Sequence, residues 1–184
     1  GLDQGDRVGG IIFGDERIAE IRPKRSGAAL RQFIGALAQA NALLRADAPD
    51  VQPLPMNDVL RAVARIAPRN HLILMFSDFA EIDQTTRKLV SGLSQHNDLV
   101  LGLVSDPYSD NLPKNVQLVV SDGVLQVAVD TGDYATRGAI KDMAQGRIAE
   151  IMDWQRALGV PILPLTTAED SLTQMRRIMG MRPR

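Results

Sequence analysis

The stretch "HLILMFSDFAEID", His71 to Asp83, runs through five apolar residues, then Ser77 and Asp78, then two further acids. A hydrophobic run that breaks off in Ser-Asp reads as a buried strand carrying a carboxylate to the edge of a sheet. "DLVLGLVSD", residues 98–106, repeats the pattern and ends in Ser105 and Asp106, and "VPILPLT", residues 160–166, is a third run of this kind. Apolar throughout rather than alternating, the three match parallel strands covered on both faces.

Helical spacing fills the gaps between them. "QTTRKLVSGLSQ" turns Leu89, Val90 and Leu93 inward, and "MNDVLRAVARIA" carries Val59, Val63 and Ile66 on one face before Pro68 ends it. Tyr134 to Leu158 reads as a long helix along Ile140, Ala144, Ile148, Ile151 and Leu158, although Gly138 and Gly146 each weaken it by roughly 1 kcal/mol relative to Ala. The expected class is α/β: a doubly wound, mostly parallel open sheet with helices on both faces, Rossmann-like in layout. Such sheets take ligands beyond the carboxyl ends of their strands, which is where Asp78 and Asp106 fall.

The remaining segments are hairpins, caps and loops. "RVGGIIFG" and "RIAEIR", with Gly14-Asp15 between them, predict a hairpin over Arg7 to Arg22; Asp122-Gly123 between alternating runs predicts an inserted one. Ser26 is placed to cap a helix through Leu30, Phe33, Ile34, Leu37 and Leu44, after which Pro49, Pro53 and Pro55 mark a loop. Thr166 and Glu169 have capping-box spacing for a terminal helix to about Met179.

Composition narrows the chemistry. A chain of 184 residues suits one domain, residues 1–184, and a net charge of −1 argues against nucleic acid or an anionic membrane as partner. With no cysteine, disulfides, thiol catalysis and a thiolate zinc site are excluded, and His71 and His96, the only histidines, leave little for a histidine metal site or triad. No apolar run reaches membrane-spanning length, so the expectation is a soluble, cytoplasmic domain.

A strand-end aspartate has several uses. A Walker B acid needs a phosphate loop of the form G-x-x-x-x-G-K-[ST], and none is present. A receiver-type phosphoacceptor needs an acidic pair ahead of it, which is also missing, and no G-x-G-x-x-G follows a strand. The third use is a divalent-cation site whose oxygen ligands converge from separate loops above the sheet. For each residue a plain structural role stands beside the functional one. Asn57 or Asp58 could cap the helix that follows, Asp78 could cap the helix near Gln84 or bind loop amides, and Asp106-Pro107 could be a turn. His71 and His96 read as structural, Trp154 as packed on a neighbouring helix, and Arg176, Arg177, Arg182 and Arg184 as a solvated helix end.

"QGDRVGGIIFGDE", "PMNDVLRAVARIAPRNHLILMFSDFAE", "LVLGLVSDPYSDNLP" and "GVPILPLTT" together resemble the von Willebrand factor A-like half of the bacterial domain of unknown function 58 family. The resemblance implies a first strand ending in Asp-x-Ser-x-Ser, a motif this chain lacks, so the expectation is a domain without its first strand and helix. It also implies a metal site for Mg2+ or Mn2+, here incomplete and reduced to Asp78, Ser77 and Asn57. Asn57 stands where the family pattern has Thr. Metal binding in this chain is then expected to be weak or absent. The resemblance further implies a non-enzymatic adaptor for a MoxR-type AAA+ ATPase, chaperone-like or assembling complexes, that binds a partner's carboxylate through the metal and the top loops; Phe79, Glu81 and Asp106 are the expected partner-binding residues. The exposed sheet gap suggests dimerisation. The alternative is a metal-dependent enzyme or phosphoacceptor switch using Asp78.

Overall fold

The computed structural model describes residues 7–14, 17–25, 27–43, 54–106, 117–121, 126–130 and 134–178. The chain divides into two compact units, Gly1–Pro68 and Arg69–Arg184.

In the first unit, β1 (Val8–Phe13) and β2 (Arg17–Lys24) form an antiparallel hairpin with Ile11 opposite Glu20. Between Val8 and Gly10 the register slips by one residue on β2, a bulge that sets Arg22 and Pro23 opposite Gly9. A Cβ at Gly9 would stand 2.6 Å from the Ile21 carbonyl oxygen and 2.7 Å from the Pro23 nitrogen, so only glycine fits. The bulge also explains why β2 continues past Arg22: Pro23 has no N–H to donate and is tolerated where pairing is already irregular. Helix α1 (Gly27–Leu43) packs on both strands and lays the Phe33 ring over Gly10. The expected cap Ser26 and the turn residue Asp15 lie outside the described residues.

Helix α2 (Met56–Ile66) follows Pro55 as N-cap, so Asn57 and Asp58 are first-turn residues and not the cap. Asp58 instead accepts from the Arg61 guanidinium at 2.8 Å. Met56, Val59, Leu60 and Ala62 are its buried positions, while Val63 and Ile66 are only half-buried, which rotates the buried face from the predicted one. Arg65 reaches Glu20 on β2 at 3.3 Å.

The second unit is built on β3 (Leu72–Ser77), β4 (Asp98–Ser105) and β7 (Ile162–Thr166), parallel and in the order β3-β4-β7. Ser77 pairs with Leu103, and Ser105 with Thr166. Met75, Leu99, Leu101, Leu103 and Ile162 share one face by register and are buried. Helices α3 (Gln84–Ser94) and α4 (Tyr134–Leu158) touch each other and this sheet, and bury Val90, Leu93, Ile151 and Trp154. Asp83 caps α3 in a reciprocal box with Thr86, displacing Asp78 from that role. Gly159 ends α4 at φ 66°, a left-handed position that glycine adopts without strain. β5 (Gln117–Ser121) and β6 (Gln126–Asp130) pair antiparallel around the Asp122-Gly123 segment, which lies outside the described residues. The architecture is thus α/β, with a three-stranded parallel sheet and antiparallel hairpins.

Two expectations need correction. β3 is not covered on both faces: Leu72, Leu74 and Phe76 are 66%, 56% and 48% exposed. Among the described residues β3 is an edge strand, and an apolar run cannot by itself say whether a strand is central. The terminal helix α5 (Ser171–Ile178) is not capped by Thr166, which is the last residue of β7. Asp170 does it, accepting at 2.8 Å from both the backbone N–H and the hydroxyl of Thr173.

Candidate functional site at the carboxyl edge of the sheet

Parallel pairing brings the ends of all three strands to one edge. Ser77 and Asp78 end or follow β3, Ser105 and Asp106 end or follow β4, and Thr166 and Thr167 end or follow β7. The first of these turns is the most constrained. The Phe79 N–H donates to Ser77 Oγ at 3.1 Å, and the Ala80 N–H donates to Asp78 Oδ1 at 3.2 Å. Ser77 Oγ also lies 3.5 Å from Asp78 Oδ1.

Phe79 itself has φ 50°, a left-handed backbone, with its side chain completely buried. Left-handed geometry costs a bulky residue about 1–2 kcal/mol. Truncating a buried Phe costs about 3–5 kcal/mol, so burial of the ring outweighs the strain and holds the turn. The consequence is an exposed Asp78 carboxylate whose backbone is anchored from beneath by its neighbour. Phe79 is therefore an anchor under the site and has no exposed surface with which to grip a partner, contrary to its expected role.

At β4 the exposed Asp106 accepts from the Thr167 hydroxyl at 3.2 Å, and the Thr167 N–H donates to the Ser105 carbonyl at 3.0 Å. These bonds tie the β4 and β7 ends together. Glu81 is exposed beyond the Asp78 turn. Asn57 is half-buried in the first turn of α2, and Ser77 and Asp78 share one turn. Among the described residues no three His, Asp or Glu side chains are grouped to hold a metal ion.

Gln174 is the residue that sequence reasoning passed over. It is 2% exposed, accepts from the Thr166 N–H at 2.8 Å, and donates to the Thr166 and Glu169 carbonyls at 2.8 and 2.9 Å. Its amide thus pairs with the outer edge of β7 as another strand residue would. Beside it lies a cavity of about 390 Å³, bounded by Phe76, Val104 and Leu165 of the sheet and by Ser171 and Met175 of α5. The Asp170 carboxyl is held below its ordinary value by the Thr173 backbone N–H, then by the Thr173 hydroxyl.

The family model described as "Protein of unknown function DUF58" matches residues 2–150. The chain belongs to the DUF58 family. The match runs from β1 into α4 and stops before β7 and α5, so the Gln174 clamp lies outside the matched part of this DUF58 chain. A curated relative, the "Corrinoid/iron-sulfur protein large subunit" of Moorella thermoacetica, is 28% identical over 142 residues, covering 77% of this chain and 29% of that protein. The DUF58 chain therefore spans under a third of that relative's length. No solved structure matches it. No helix among the described residues is long and apolar enough to cross a membrane.

Proposed function

We propose that this chain is a von Willebrand factor A-like interaction module, an adaptor and not an enzyme, that docks a MoxR-type AAA+ ATPase in the cytoplasm through the carboxyl edge of its parallel sheet. The fold reading extends the three parallel strands to a doubly wound sheet. The observation that carries the functional reading is the Ser77-Asp78-Phe79 turn. A strained, fully buried aromatic fixes an exposed carboxylate at the position where α/β sheets meet their ligands. Glu81 and Asp106 extend the acidic surface on the exposed loops.

A divalent cation fits this turn poorly. Magnesium takes six oxygens in near-octahedral array and gives up its waters reluctantly, whereas the turn supplies one carboxylate and one hydroxyl. Docking is therefore assigned to the side chains and backbone of the edge, without a step through a metal. The name of the Moorella relative concerns corrinoid and iron–sulfur chemistry. This chain has no cysteine with which to ligate a cluster, and that chemistry is not carried over to it.

The test is a pull-down of a purified MoxR-type ATPase from the same organism by wild type, Asp78→Ala and Asp106→Ala. Loss of at least tenfold in affinity for Asp78→Ala supports the reading. Unchanged capture by both variants refutes it, and stable phosphorylation of Asp78 by a small phosphodonor would establish a phosphoacceptor switch in its place.

A further inference from the structure

Charge in the first unit is unevenly spread. From Ile21 to Ala46 the sequence holds five basic residues and no acid. Three of them, Arg22, Lys24 and Arg25, fall at the end of β2 and just beyond it, and β1 brings Arg7 alongside, since Val8 stands opposite Lys24. Arg31 joins them from α1. A Cβ at Gly27 would stand 3.4 Å from its guanidinium, so the side chain reaches back over a first turn that has no acidic residue. Arg7, Arg22, Lys24, Arg25 and Arg31 are all exposed, and among the described residues none has an ion pair. Arg61 and Arg65 on α2 are by contrast matched to Asp58 and Glu20. The net charge of −1 averages this basic corner away.

We infer that this corner docks the chain on an anionic membrane surface, its five cations meeting lipid phosphates and α1 setting apolar side chains into the headgroup layer. Unmatched cations call for an anionic partner, and α1 favours a lipid surface over a nucleic acid. Arg31, Ile34 and Leu37 follow at three-residue spacing along one side of the helix, and Ile34 and Leu37 are 56% and 45% exposed. A helix side that is basic at one end and apolar along the rest suits headgroups lying over acyl chains. A single-stranded nucleic acid would call for aromatic faces on which to stack its bases, but Phe33, the aromatic of α1, is laid over Gly10. Each basic residue close to an anionic surface strengthens binding about fivefold. The effect fades with salt, which screens charges beyond about 8 Å at physiological strength. This inference does not rest on the adaptor reading above.

The experiment is co-sedimentation of the full chain with vesicles of phosphatidylcholine alone, and of phosphatidylcholine with about one-third phosphatidylglycerol, at about 0.05 and 0.5 M salt. Wild type should bind the anionic vesicles at low salt, and about tenfold or more weaker both at high salt and on the neutral vesicles. Arg25→Gln should weaken binding about fivefold, and Arg22→Gln, Lys24→Gln and Arg25→Gln together about a hundredfold. The thermal transition should stay where it is, because all three side chains are exposed; should the triple variant unfold, Arg25→Gln decides. Arg61→Gln removes the same charge from an ion-paired position and should leave binding within about twofold. Ile34→Ser with Leu37→Ser should weaken it about tenfold. Failure of wild type to bind anionic vesicles overturns the inference. Equal losses for Arg25→Gln and Arg61→Gln overturn it as well, because net charge and not this corner would then be the cause. Vesicle binding indifferent to the Ile34 and Leu37 changes, with tighter capture of a labelled oligonucleotide, would assign the corner to nucleic acid and overturn it too.

Discussion

Replacing Gln174 with Leu tests whether the amide clamp holds α5 to the sheet. The side chain is 2% exposed and makes three hydrogen bonds, one to the Thr166 N–H and one each to the Thr166 and Glu169 carbonyls. Leucine keeps most of the volume, so little cavity forms, but it leaves those three backbone groups without the amide. An orphaned buried donor or acceptor costs about 1–3 kcal/mol. The three groups are only part-buried, so water recovers some of that, and the net loss should be about 2–3 kcal/mol. For a chain of this length each kcal/mol moves the melting midpoint by about 2–4 °C, so the expected shift is about 4–12 °C, read by calorimetry or circular dichroism. Gln174→Glu should be worse at neutral pH, since it keeps the acceptor but sets a carboxylate against two carbonyl oxygens. A loss below about 0.5 kcal/mol for Gln174→Leu, within the range of ordinary surface changes, would show that the clamp does not hold α5.

Three further outcomes follow from single observations. The folded-state pKa of Asp170 is depressed below 3.8, so its carboxylate contributes stability that is complete above the unfolded value and lost as pH falls through the folded one. Asp170→Asn keeps a cap at every pH, so wild type should lose stability relative to it only below about pH 4 in acid titrations followed by circular dichroism. Gly9→Ala drives a methyl against the Ile21 carbonyl oxygen and should cost about 2–4 kcal/mol by urea denaturation, toward and past the top of the usual range for overpacking because the obstacle is backbone; a near-neutral result would mean that the bulge can relax. Magnesium titrated by calorimetry should bind with a dissociation constant above about 1 mM, and a tighter constant abolished by Asp78→Ala would restore the metal-dependent reading.

Several elements were legible because their signals are local. The helix from Tyr134 to Leu158 has the bounds that apolar spacing predicts, despite Gly146 in its interior. The hairpin at the start and the strands ending at Ser77 and Ser105 also lie where the apolar runs put them. What failed was the inference from run to burial. "LILMF" has the composition of a central strand, but centrality is a property of neighbours, and none of the described strands lies beyond β3. The cap of α5 failed for a similar reason. Thr166 and Glu169 have the right spacing, but Thr166 is engaged in β7 and Asp170 is the acceptor that reaches the Thr173 N–H.

The site shows the same division more sharply. Asp78 could be picked out because a carboxylate directly after an apolar strand is a pattern of adjacent residues. The residues that fix its setting could not, because their roles run against their types. Phe79, an aromatic with a Cβ, takes the left-handed conformation that sequence rules reserve for Gly or Asn, and it does so because the burial of its ring outweighs the strain. Gln174, a polar residue, is turned inward while Leu172 on the same helix is 57% exposed, because the edge of β7 offers an N–H and a carbonyl that an amide can pair and a leucine cannot. In both places the local preference is overridden by a partner distant in sequence or by burial that only the folded chain supplies. The carboxyl edge of the sheet, where Asp78 stands and the Thr167 hydroxyl reaches Asp106, is held in shape by those overridden residues, so loosening either one should disturb the edge before it disturbs the sheet beneath.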